Sequence, residues 1–108
     1  MGKVSIFILF LFLSFTSLAN DTLRVVSDNK VERTSFYEDG GKRQVSYYDF
    51  NNNKIGKWTY YHRNGNLYSK GVFKDDKRHG VWFFYDESGS KIGKVKYKMG
   101  EVILVKNY

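Results

Sequence analysis

A spacing of 24 residues constrains this chain more than any other feature. The stretch Gly56 to Asn66, GKWTYYHRNGN, returns as GVWFFYDESGS from Gly80 to Ser90. Gly56 maps to Gly80, Trp58 to Trp82, Tyr61 to Tyr85 and Gly65 to Gly89. Such self-similarity marks a stacked structural unit. One further step back finds Tyr37 beneath Tyr61 and Gly41 beneath Gly65, with Glu32 and Thr34 where the glycine and tryptophan would stand. A degenerate end unit suits an array whose terminal copy lacks a neighbour on one side.

Each copy reads as a β-hairpin. Lys57 to Tyr61 and Val81 to Tyr85 are rich in aromatic and β-branched residues, which favour a pleated strand. The turns Asp39-Gly40-Gly41, Arg63-Asn64-Gly65 and Glu87-Ser88-Gly89 follow, and their glycines supply the positive φ that tight turns need. Leu67 to Lys74 and Lys91 to Lys98 are the return strands. Asn51 to Gly56 and Asp75 to Gly80 then lead into the next unit. The sequence contains no proline, as suits a sheet in which backbone N–H groups are needed by neighbouring strands. Strand alternation puts Trp58 and Tyr60 on one face with Trp82 and Phe84, and Thr59, Tyr61, Phe83 and Tyr85 on the other. In the last return strand Lys94, Lys96 and Lys98 share a face opposite Gly93, Val95 and Tyr97.

The fold class expected is all-β: antiparallel hairpin repeats of about 24 residues in one elongated twisted sheet, preceded by a signal peptide. Residues 1–19 form the leader. Lys3 begins it, Ile6 to Leu13 is an unbroken apolar run, and Ser17-Leu18-Ala19 places small residues at a cleavage site before Asn20. The stretch is too short and too rich in Ser and Thr for a retained span, which wants about 20 mostly apolar residues. Residues 20–30 read as an N-terminal capping strand and linker. Residues 31–101 hold the repeats, divided as 31–55 (degenerate), 56–79 and 80–101, and 102–108 are a C-terminal strand expected to close the core.

Export calls for stabilisation, yet the chain has no cysteine, so neither a disulfide nor a lipidated thiol is available. Nine Tyr, nine Phe and two Trp are the compensation, since each aromatic buries a large area. The formal charge of +7 falls by one when Lys3 leaves with the leader. Among exported surroundings this points to anionic lipid, glycan or wall polymer as acidic partners, and away from nucleic acid. The plainer role for such lysines is keeping sheet edges soluble.

The pattern Gly-x-Trp-x-x-Tyr-x-x-x-Gly at Gly56 to Gly65 and Gly80 to Gly89, with its second arm and polar turn, resembles the MORN repeat, and more closely its bacterial variant. The resemblance spans Val31 to Glu101 and weakens at Glu32 to Gly41. It implies a β-hairpin array that serves as a scaffold or binding surface without a catalytic centre. Eukaryotic MORN proteins are linked to membrane association and partner assembly. Many bacterial variant-repeat proteins carry an antitoxin-family name, which fits poorly with an export signal.

The chemistry-bearing residues point the same way. His62 and His79 occupy different repeat positions beside turns, so no metal or cofactor is expected. Ser69, Ser88 and Ser90 have no matching base and acid for nucleophilic catalysis. The pairs Glu38-Asp39, Asp75-Asp76 and Asp86-Glu87 suit turns. The expectation is therefore a non-enzymatic exported module, periplasmic or secreted, binding a protein or envelope component. Its alternatives are an antitoxin or immunity protein for a cognate toxin, and an anionic lipid or glycan binder. Gly56, Trp58, Tyr61, Gly65, Gly80, Trp82, Tyr85 and Gly89 are assigned to the repeat framework. The varying tips, His62, Arg63 and Asn64 against Asp86, Glu87 and Ser88, together with Lys94, Lys96 and Lys98, are the candidate contact residues. Open sheet edges also allow an edge-paired dimer.

Overall fold

The computed structural model describes residues 21–108, all of whose regular structure is β. The expected signal peptide lies outside these residues. Eight strands run in chain order: β1 (Thr22–Ser27), β2 (Lys30–Phe36), β3 (Lys42–Tyr48), β4 (Lys54–Tyr61), β5 (Leu67–Lys74), β6 (Lys77–Tyr85), β7 (Lys91–Lys98) and β8 (Glu101–Asn107). They form one antiparallel sheet in the order β1-β2-β3-β4-β5-β6-β7-β8. Every strand therefore pairs only with its sequence neighbours, as in a linear repeat.

Two kinds of connection alternate at the ends of the sheet. At one end, five-residue loops close β2–β3, β4–β5 and β6–β7, with backbone hydrogen bonds Tyr37 N–H to Gly41 O, His62 N–H to Asn66 O and Asp86 N–H to Ser90 O. Gly40, Gly65 and Gly89 adopt φ of 96°, 94° and 98° in these loops. The first copy is thus offset by 25 residues, not 24: Gly40, and not Gly41, stands beneath Gly65, and Tyr37 stands beneath His62. Its cause lies at the other end. There the loop Asp49 to Asn53 replaces the two-residue turn Asp75-Asp76, while β3 and β4, of 7 and 8 residues, are each one shorter than β5 and β6, of 8 and 9.

Gly56 and Gly80 do not open strands but sit within β4 and β6, where φ of 72° and 77° marks a bulge. Val45 pairs Thr59 and Tyr47 pairs Ile55, so the single residue Ser46 faces Gly56, Lys57 and Trp58. Likewise Lys70 pairs Phe83 and Val72 pairs His79, leaving Gly71 opposite Gly80, Val81 and Trp82. The two surplus residues in each bulge let the tryptophan fold back over the preceding strand. A Cβ built on Gly71 would meet the Trp82 indole at 2.1 Å. Trp82 Nε1–H donates to Val72 O at 3.1 Å, and Trp58 Nε1–H donates to Tyr47 O and Ile55 O at 3.2 and 3.1 Å. A small residue on one strand and Gly-x-Trp on the next are therefore one structural device. The degenerate copy has no Gly-x-Trp, and β1 pairs with β2 there without a bulge from Thr22↔Thr34 to Val25↔Val31.

This device gives a single-layer sheet a core. Trp58, Phe73 and Trp82 are 3%, 7% and 1% exposed, and Tyr48, Tyr60, Phe84 and Tyr97 pack around them. Ring centroids step across the face from Tyr48–Trp58 (5.3 Å) through Trp58–Phe73 (4.5 Å) and Phe73–Trp82 (5.3 Å) to Trp82–Tyr97 (6.5 Å). The core is this aromatic stripe, fading toward both edges. β8 does not bury against it: every residue of the strand is exposed.

Candidate functional site

The sheet offers two faces and a row of loop tips, and each holds some of the sequence-predicted contact residues. On the stripe face the aromatics are roofed by cations. Lys54 Nζ lies 5.5 Å from the Trp58 ring and 5.2 Å from Phe73. One repeat later the Arg78 guanidinium lies 5.2 Å from Trp82, 5.9 Å from Phe73 and 5.7 Å from Tyr97. Both stand two residues before the bulge glycine, so the repeating unit carries a cation that covers its own tryptophan with an aliphatic stem and a charged head. The spacing Lys54-x-Gly56-x-Trp58 and Arg78-x-Gly80-x-Trp82 displays this pair in the sequence, but only the bulge shows that the two cations face the rings. Burial pushes the Tyr60 hydroxyl pKa upward on this face. The face is a packed interior under a cationic roof.

The loop tips are brought together, but largely to one another. His62 Nε2–H donates to Tyr85 O at 2.9 Å, and Asn64 Nδ2–H donates to Glu87 O at 2.7 Å. Asn66 Nδ2–H reaches the same carbonyl at 2.8 Å. The Arg63 guanidinium lies 4.7 Å from the ring of Tyr37, whose hydroxyl donates to Tyr61 O at 2.7 Å. Asp86 Oδ1 accepts from Ser88 N–H, Ser88 Oγ–H and Ser90 N–H, and these bonds, led by the Ser88 hydroxyl, hold the Asp86 carboxyl below its ordinary pKa. His79, at the other end, accepts from Met99 N–H through Nδ1. The two histidines therefore stitch successive hairpins. Of the acidic pairs, Asp39 caps Gly41 N–H and Asp76 caps Lys54 N–H. Among the described residues no cluster of His, Asp and Glu is arranged to hold a metal.

The opposite face is built differently. Register places Thr59, Lys70, Phe83, Lys94 and Lys106 side by side across β4 to β8. A second row runs Val81, Lys96 and Leu104 across β6 to β8. Lys57 faces Val72 across β4–β5, and Lys98 follows on β7 by alternation. Lys91 Nζ stands 4.2 Å over the Phe83 ring. Across β4 to β8 the strands contain a single acidic residue, Glu101. Both salt bridges of the described residues, Arg24–Glu32 and Arg33–Asp21, lie at the far end of the sheet. Lys94, Lys96 and Lys98 thus belong to a broader lysine field in which Phe83, Val81 and Val72 supply apolar ground. Lys57, Lys70 and Lys106 were not singled out in the sequence, because only inter-strand register joins them to the Lys94 row.

Residues 54–75 and 78–99 each match the family model described as the MORN repeat variant. Both matches begin at the roofing cations Lys54 and Arg78. No curated protein matches the chain.

Proposed function

For a chain that carries two MORN repeat variant units in one uninterrupted sheet, we propose the role of a non-enzymatic interaction module of the cell envelope, whose lysine field contacts an acidic partner. MORN repeats are commonly modules that bind proteins or membranes. The observation that carries the reading is the contrast between the two faces. One is closed by its own aromatics and cations; the other presents Lys57, Lys70, Lys94, Lys96 and Lys106 around Phe83 with no carboxylate of its own to neutralise them. Like charges set directly opposite one another, as Lys94 and Lys106 are, cost a sheet stability. An acidic surface laid across them removes that cost, and Lys57, Lys96 and Lys106, which are exposed beside the half-buried Lys70 and Lys94, are free to meet it. Export through the leader of residues 1–19 is the localisation this reading assumes.

The test compares the chain from Asn20 to Tyr108 with its Lys94→Glu, Lys96→Glu double variant. Sedimentation with vesicles containing anionic lipid, with wall material, and pull-down from envelope extract are the three readouts. Reversing two charges is expected to weaken retention at least about tenfold, as losing two favourable contacts of roughly 1 kcal/mol each would. The thermal midpoint should not fall, and should rise slightly, because both side chains point away from the stripe and Lys94→Glu replaces the repulsion with Lys106 by an opposite-charge pair. Retention unchanged by the substitutions would remove the lysine field from the function.

A further inference from the structure

We infer that copies of this chain join head to tail, β8 of one molecule pairing along β1 of the next, so that the repeat sheet continues across the junction. Among the described residues both edges are open, guarded only by Arg24 and a bulge at Val26 on β1 and by Glu101, Lys106 and a bulge at Ile103 on β8. β8 exposes Val102, Ile103, Leu104 and Val105 at 55%, 51%, 50% and 59%, and β1 exposes Leu23 and Val25 at 69% and 67%. Edge strands in monomeric proteins are ordinarily blunted by charge, proline or cover, and an exposed apolar edge is a template for pairing. Repeat arrays likewise need polar terminal units to stay separate.

Three features select the second copy, and this orientation, as the occupant. The number of strands is even and their direction alternates without exception. A β1 placed beside β8 is therefore antiparallel when the next molecule keeps the same orientation, and each face continues as the same face. Second, the apolar residues match: Val102 pairs with Tyr97 and Val105 with Val95 on the stripe face, where Leu23 and Val25 also lie by their pairing through Arg33 and Val31. Third, charge decides against the symmetric alternative. From Asp21 to Phe36, the two strands at the β1 edge, the acids Asp21, Asp28 and Glu32 balance the bases Arg24, Lys30 and Arg33, whereas from Lys91 to Tyr108 five lysines face only Glu101. A β8–β8 junction would bring two lysine-rich ends together; β8 on β1 sets the lysine-rich end against a neutral one and avoids that repulsion. Such a junction is heterologous and open-ended, so it yields filaments or short oligomers rather than a closed dimer.

Sedimentation velocity on the chain from Asn20 to Tyr108 tests this with Val25→Lys on the β1 edge and Val105→Lys on the β8 edge, each at an exposed position. The wild type is expected to form a concentration-dependent series beyond the dimer. Each variant alone should lose association at least about tenfold, and an equimolar mixture of the two should recover a 1:1 dimer, since each retains the edge the other lacks. Circular dichroism on the same samples confirms that the sheet is intact. A wild type that stays monomeric up to about 1 mM, the weakest association of interest, would overturn the proposal. So would a dimer abolished by Val105→Lys and untouched by Val25→Lys, which is the β8–β8 signature.

Discussion

Gly71 and Gly80 are glycine for different reasons, and substitution separates them. Gly80 needs its residue type for backbone conformation: φ is 77° and a Cβ there meets nothing within 4 Å. Gly80→Ala should cost about 1–2 kcal/mol, the penalty of a left-handed L-residue, and Gly80→Asn less. Gly71 has an ordinary backbone, but its missing Cβ leaves the space the Trp82 indole fills at 2.1 Å. The ring cannot retreat without losing its hydrogen bond to Val72 O and its edge contact on Phe73. Gly71→Ala should therefore cost about 3 kcal/mol or more, the upper range for overpacking. Trp82→Ala, which empties the site, belongs at about 3–5 kcal/mol. Urea unfolding by far-UV circular dichroism ranks them, and a Gly71→Ala no worse than Gly80→Ala would mean that the indole is not pinned. The two glycines look alike in the sequence. Gly80 could be assigned to the repeat from its spacing, but Gly71 could not, because its partner Trp82 is eleven residues away across a bulge that spacing does not reveal.

At the scale of the element, the loops act as clasps more than as tips. Each five-residue loop is held from within by an acidic residue or from outside by the next hairpin. Asp49 accepts from Asn51 N–H and Asn53 N–H as Asp86 does from Ser88 and Ser90, and the Asn53 backbone bond leads in depressing the Asp49 pKa. A carboxylate whose folded pKa lies below its unfolded value, near 4, contributes stability that is complete above that value and disappears as pH falls through the folded one. Asp86→Asn keeps an acceptor oxygen and loses only the charge. Wild type should then exceed Asp86→Asn in thermal midpoint by a constant margin from pH 7 to about 5, and the gap should close below about pH 4. A gap independent of pH would assign the effect to shape and not to charge. Hairpins, their order and the degenerate first unit were legible in Trp58, Trp82 and the turn glycines, since strand propensity and positive-φ turns are local properties. The bulges, the 25-residue first offset and the stitching by His62 and His79 were not. Those depend on which residue faces which across two strands, and a single sequence writes that register nowhere.

For the molecule as a whole, charge is distributed unequally along a sheet whose strands meet only their neighbours. The end with both salt bridges is electrically paired, and the end with Lys94 opposite Lys106 is self-repelling. Salt should act in opposite directions on two properties of the same protein. Stability should rise as ionic strength increases from about 0.01 M to 0.15 M, where the screening length contracts from about 30 to 8 Å and lysine repulsion across β6 to β8 is relieved. Binding to an anionic surface should fall over the same range, because the attraction being screened is the one that brings the lysines to it. An anionic ligand at a hundredfold over its Kd should meanwhile stabilise the fold by about 2.7 kcal/mol, and added salt should erode that gain. Differential scanning calorimetry with and without a polyanion, at both salt concentrations, reads all three effects at once. A melting temperature that drops with salt would mean that the lysine field is already neutralised within the folded chain and has no need of an acidic partner.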